Sequence, residues 1–273
     1  MKHKQISILG SGWLGLPLAK SLVAKRYTVK SSTTTAEKVV ALNEAGLRGY
    51  CFKLGTDEGQ KVLSDFVAES EIIIVNFPPK RKIVDIEKVY PTQVQQLLSV
   101  INNTQKVIFI SSTSVYQNTN NTIDESLVTQ PEKASGKAVL AAENLLRDQL
   151  KDRLTVLRLS GLIGYDRLPG RFLATKTNLK NGNAPVNVIH RDDCIGLITA
   201  VIAKNCWGEI INGCADEHPL RKIYYTLAAE SIGLTPPTFA DDTAETAYKI
   251  ISNTKSKELL KYEYQHPDPL KLI

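Results

Sequence analysis

Four cysteines in 273 residues, with no two spaced as a CxxC pair, leave no thiol zinc site and no redox disulfide motif. Cys51, Cys194, Cys206 and Cys214 read instead as free thiols of a reducing compartment. Histidine is equally scarce, at four residues, and His190 beside Asp192 and Asp193 supplies too few ligands, so no metal is expected. Long apolar runs are missing as well. The first, Ile6 to Leu9, is too short for a signal segment or a membrane span, which predicts a cytoplasmic protein with no membrane partner. Charge of one sign is only mildly in excess, at +6, and no basic stripe interleaved with aromatics appears. That pattern argues against nucleic acid and leaves room for a phosphate-bearing ligand.

What is present is ample core material, 42% hydrophobic residues, arranged in strand-like runs that alternate with helix-period stretches. Strands are expected at Ile6–Leu9, Tyr27–Ser31, Tyr50–Leu54, Ile72–Val75, Lys106–Ser111 and Leu154–Leu159. Helices are expected over 14–25, 36–45, 91–102 and 136–149. The runs are continuous rather than alternating, as in strands covered on both faces. The predicted fold is α/β, a Rossmann-type doubly wound parallel sheet with a smaller, irregular C-terminal substrate lobe. The expected domains are 1–160 for the dinucleotide-binding part and 161–273 for the lobe. Within that lobe, Asp192 or Asp193 is expected to cap a helix over 193–203.

After the first strand comes Gly10-Ser11-Gly12-Trp13-Leu14-Gly15, a GxGxxG that opens an amphipathic helix. Gly10 permits a tight turn, Gly12 admits a pyrophosphate, and Gly15 allows close helix–strand packing, while the helix N-terminus attracts phosphate. The second strand runs into Ser31-Ser32-Thr33-Thr34-Thr35 with no acid before Glu37. A ribose-binding carboxylate is therefore missing, and hydroxyls of Ser32, Thr33 and Thr34, with Lys30 or Lys38, are expected to face a 2′-phosphate. NADP is the expected cofactor, with NAD as the alternative. Phe77, Pro78 and Pro79, at the carboxyl end of the fourth strand, are expected to face it too, as is Ser111 of the fifth. Lys80-Arg81-Lys82 reads as a solvated loop.

Phe109-Ile110-Ser111-Ser112-Thr113-Ser114-Val115-Tyr116, Leu157-Arg158-Leu159-Ser160-Gly161-Leu162-Ile163-Gly164 and Val188-Ile189-His190-Arg191-Asp192-Asp193 then carry a resemblance. In that order they resemble the SSxxVYG, LRxxxxyG and VhVdD motifs of the extended short-chain dehydrogenase/reductases, the NAD-dependent epimerase/dehydratase group. The chain is most similar to atypical bacterial members labelled nucleoside-diphosphate-sugar epimerases. The resemblance implies an NADP(H)-binding oxidoreductase or epimerase-like enzyme. Its substrate would be a sugar nucleotide or another small polar carbonyl or alcohol, met by a monomer or homodimer.

One part of the family pattern is missing. The catalytic YxxxK falls on Ser135 and Val139, and neither can move a proton near neutral pH or hold a charge. Ser112 aligns with the family's substrate-orienting serine. Tyr116 and Lys137 are the remaining candidates for the phenol and its cationic partner, against plainer readings as a packing residue and a solvated side chain. Arg171 and His190 are the expected substrate contacts, taken from where the family's substrate lobe begins. The alternative to an enzyme is a dinucleotide-binding sensor or scaffold without turnover.

Overall fold

The computed structural model describes residues 4–80, 83–240 and 247–273; Arg81 and Lys82 of the expected basic loop lie outside them. The chain opens with β1 (Gln5–Leu9), α1 (Gly15–Ala24), β2 (Thr28–Thr33), α2 (Glu37–Glu44), β3 (Arg48–Cys51) and α3 (Asp57–Val67). It continues with β4 (Ile72–Val75), α4 (Ile86–Leu98), β5 (Lys106–Ser112), β6 (Thr122–Ile123), α5 (Ala134–Leu150) and β7 (Leu154–Leu159). The remainder is β8 (Gly161–Ile163), α6 (Gly170–Leu173), β9 (Val188–His190), α7 (Arg191–Ala203), β10 (Ile210–Gly213), α8 (Arg221–Glu230), β11 (Ile250–Ile251) and α9 (Thr254–Leu260).

Seven strands form one sheet in the order β10-β7-β5-β4-β1-β2-β3, the reversal of order at β1 and β4 marking a doubly wound fold. β1 runs parallel to β2 and β4, β2 to β3, and β4 to β5. β4 is buried along its whole length, as a strand covered on both faces must be. β6 pairs with β11, and β8 with β9, in two further two-stranded sheets. Among the described residues, no helix is long and apolar enough to cross a membrane.

The chain divides into two compact units that interleave along the sequence. One comprises Met1–Val115, Gln130–Leu157 and Ile198–Ile210, the other Tyr116–Thr129, Arg158–Leu197 and Ile211–Ile273.

Two local differences from the sequence reading have physical causes. α3 was not expected, because its sequence is polar on average, yet Leu63, Phe66 and Val67 fall on one buried face. The Thr56 side chain caps it by accepting from the Gly59 N–H at 3.0 Å, with Asp57 and Glu58 in the first turn beside the positive dipole end. α7 starts at Arg191, which places Asp192 and Asp193 inside its first turn and corrects the expectation that either one caps it.

The turn between β1 and α1 brings the helix close against the strand ends. A Cβ on Gly15 would lie 2.0 Å from the Gly10 carbonyl oxygen and 2.8 Å from Asn76 Nδ2, so α1 meets the strand ends at a distance only glycine allows. Gly15→Ala should therefore cost about 2 kcal/mol or more of stability. Thermal melting checks this, and an unchanged midpoint would contradict the contact.

Candidate functional site

The first unit holds the glycine turn at the carboxyl ends of β1, β2 and β4. Gly10 sits at φ 103°, and a Cβ there would be 2.8 Å from the Asn76 carbonyl oxygen. The Asn76 side-chain amide donates to the Gly10 carbonyl at 3.0 Å, fixing the turn to β4. On the other side, Ser11 N–H donates to the Ser32 carbonyl at 2.8 Å, and Gly10 N–H to Ser32 Oγ at 3.0 Å. Ser11 Oγ also bonds Ser31 Oγ at 2.6 Å and the Ser32 carbonyl at 2.7 Å. Gly12 is different: a Cβ there would meet nothing within 4 Å. Trp13 is half-buried, Leu14 is buried, and no side chain caps the start of α1. The result is a rigid turn with open space over Gly12 at a helix N-terminus, the setting that accepts a pyrophosphate.

Lys30 takes no part in this turn. Its side chain is buried and donates to the carbonyls of Asp65 and Ala68 at 2.8 and 2.9 Å. Burial lowers its pKa, partly opposed by the nearby Asp65 and Glu69 carboxylates. This corrects the expectation that Lys30 faces a 2′-phosphate: alternation along β2 turns it toward the end of α3. Lys38 is exposed on α2, and beyond the buried Ser32 lie half-buried Thr33 and exposed Thr34.

Phe77 follows Asn76, its carbonyl accepting from the buried Tyr90 hydroxyl at 2.8 Å and its ring lying edge-on to Tyr90, centroids 5.2 Å apart. Pro78 is exposed and Pro79 half-buried. On β5 the Ser111 hydroxyl donates to the fully buried Glu143 carboxylate, while Ser112 Oγ accepts from Ser114 N–H at 3.1 Å. Along α5, Ser135 is half-buried, Lys137 exposed and Val139 buried.

In the second unit Tyr116 is buried and its hydroxyl is engaged in both directions. It accepts from Arg158 Nη1 at 2.8 Å and donates to Asn212 Oδ1 at 3.0 Å. Asn212 N–H donates in turn to Glu125 Oε1 at 2.6 Å. Burial pushes the Tyr116 phenol pKa up despite Arg158, and raises the Glu125 carboxyl against the Asn212 hydrogen bond. A phenol placed in this way stays protonated.

A cleft of about 360 Å³ opens in the same unit, with Arg167, Phe172, Arg221 and Tyr225 among its lining. The sequence reading missed the two arginines, because the segments that carry them meet only in the fold. The expected Arg171 is exposed on α6 and does not line the cleft. His190 is buried at the end of β9, its ring centroid 3.9 Å from that of His266 and 5.5 Å from that of Tyr165. Burial, and then the neighbouring His266, lower its pKa.

The chain is 34% identical to Protein YeeZ of Escherichia coli strain K12, with 98% of each chain covered. It belongs to the YeeZ family. Residues 5–130 also match the family model described as the NAD binding domain of 6-phosphogluconate dehydrogenase. Among solved structures, a UDP-glucuronic acid 4-epimerase from Bacillus cereus, in complex with UDP-glucuronic acid and NAD, superposes with a TM-score of 0.77. The identity is 20%, and 98% and 96% of the two chains are covered. A short-chain dehydrogenase/reductase superfamily protein from Agrobacterium tumefaciens with bound NAD gives 0.79 at 17% identity, covering 96% and 92%. This member of the YeeZ family thus shares the Rossmann-type fold of the epimerases and short-chain dehydrogenases.

Tyr116→Phe would leave Arg158 without one acceptor and Asn212 Oδ1 without its donor, a loss of about 1–3 kcal/mol. Urea unfolding measures it, and an unshifted midpoint would contradict a structural role for the phenol.

Proposed function

We propose that this protein is an NADP(H)-dependent oxidoreductase or epimerase acting on a nucleotide sugar or a related small polar carbonyl or alcohol. The observation that carries the reading is the turn at Gly10–Gly15, rigid on both sides and open over Gly12. Gly10, Ser11, Gly12, Trp13, Leu14 and Gly15 would hold the pyrophosphate, with Ser32, Thr33 and Thr34 near the adenine ribose and Phe77, Pro78, Pro79 and Ser111 along the strand ends. The bound cofactor would supply a hydride donor and acceptor. NADP is favoured over NAD because no carboxylate stands between Ser31 and Thr35 to repel a 2′-phosphate.

The cleft supports a nucleotide sugar. Two guanidiniums suit a diphosphate, and the rings of Phe172 and Tyr225 suit a base or sugar face. The B. cereus epimerase of the same fold was crystallised with such a ligand. Ser112 and Lys137 remain the candidates for orienting the substrate and supplying positive charge. Tyr116 follows the fifth-strand motif in sequence and offers a phenol, but its buried hydroxyl favours a structural role. The same burial, with Ser135 and Val139 in place of the expected pair, supports a second reading, a dinucleotide sensor without turnover.

Calorimetric titration with NADPH and NADH tests the cofactor, and a screen of nucleotide sugars for cofactor oxidation separates enzyme from sensor. NADPH should bind the more tightly. Gly12→Val should weaken it by about tenfold or more, ~1.4 kcal/mol, with the melting temperature nearly unchanged. Equal or tighter NADH binding would remove the NADP assignment. A folded Gly12→Val variant that binds like the parent would remove the site.

A further inference from the structure

Three side chains of the second unit, none paired in sequence with a metal motif, meet at the start of α7. His190 Nδ1 lies 3.6 Å from Asp192 Oδ2, and His266 Nε2 lies 3.7 Å from the same oxygen. One ligand atom from each residue falls within 4.8 Å of the others. For tetrahedral zinc, with bonds of about 2.0–2.1 Å to nitrogen and oxygen, neighbouring ligand atoms stand about 3.4 Å apart. The separations from the carboxylate are already close to that figure. We propose that His190, Asp192 and His266 bind one divalent transition-metal ion of the zinc class, with at least one coordination position left open.

Several features build this site rather than merely permit it. His190 is held by β9, which pairs with β8 so that His190 stands opposite Ile163. Its Nε2 edge lies against Gly164, where a Cβ would come within 2.2 Å, so Nδ1 is the nitrogen turned toward Asp192. That nitrogen accepts a long hydrogen bond from Asp192 N–H at 3.3 Å and therefore carries a lone pair. An ion would take the lone pair and release the first-turn N–H to water. The Asp192 carboxylate is steered by the Tyr165 hydroxyl, 3.0 Å from each oxygen.

His266 arrives from the far C-terminal segment, and a second carboxylate holds it there. Asp193 is fully buried and accepts from Tyr262 hydroxyl at 2.9 Å, Gln265 N–H at 2.7 Å and His266 N–H at 3.1 Å. Adjacent aspartates thus divide the work: Asp193 fixes the backbone that presents His266, and Asp192 faces the ion. Supporting bonds of this kind hold ligands in place before the metal arrives. The side chains of Asp192 and His266 are 31% and 27% exposed, so an ion could enter from solvent and keep a water. Ile163, which stands opposite His190 across the β8–β9 pair, also lines the cleft.

The test uses untagged full-length protein carrying Cys51→Ser, which removes the exposed thiol. Zinc is titrated against a chromogenic chelator, and cobalt is followed by its visible d–d absorption. The expected result is about one equivalent of zinc per chain and an intense cobalt band typical of low-coordinate sites. Asp192→Asn and His266→Ala should each weaken zinc by about tenfold or more and abolish the band, whereas His218→Ala should change neither. Asp192 is partly exposed, so its variant stays informative if His266→Ala fails to fold. Substoichiometric zinc, or equal binding by parent and Asp192→Asn, would overturn the assignment and leave the cluster as a carboxylate paired with two imidazoles. Equal loss in His218→Ala would overturn it in favour of adventitious surface binding.

Discussion

The contact between the Gly10 carbonyl and Gly15, clamped by the Asn76 amide, is the constraint on which the proposed cofactor site depends. A carbonyl oxygen 2.0 Å from where a Cβ would stand brings α1 onto the ends of β1 and β4. Asn76 makes the approach directional, since its amide holds the Gly10 carbonyl at 3.0 Å and its own carbonyl excludes any side chain at Gly10. With Ser11 and Ser32 securing the other flank, the turn has little freedom left, and Gly12 faces open space. Pre-organisation of this sort lowers the entropy cost of ordering a loop around a pyrophosphate.

Much of this first unit was legible in the sequence because its signals are local. A buried strand, a GxGxxG and a helix lie within one short stretch, and β4 occupies the expected residues. Failures occurred where a polar average concealed an amphipathic face, as in α3, or where a side chain's direction decided its role. Lys30 illustrates the latter. Beside a run of hydroxyls it resembles a phosphate ligand, but the two-residue period of β2 sends it to the carbonyls that end α3.

The side-chain contacts of the second unit were far less legible, because its polar groups find partners across long stretches of chain. Tyr116 meets Arg158 and Asn212, and Asn212 meets Glu125, in a buried network that no spacing rule anticipates. Asp193 reaches residues 262–266, and Arg167 joins Arg221 at one cleft. Buried polar groups need their hydrogen bonds satisfied, and in an irregular lobe side chains meet that need where regular strands are short. The role of a tyrosine such as Tyr116 is then set by partners distant in sequence, which is why motif alignment alone left its function open.

Hydrogen–deuterium exchange with and without NADPH reports directly on the proposed dinucleotide over Gly12, between the ends of β2 and β4. Binding should slow exchange in peptides covering residues 10–15 and 76–77, the two sides of the clamped turn. Saturating NADPH that leaves both segments unprotected, or protects only segments elsewhere in the chain, would contradict that placement.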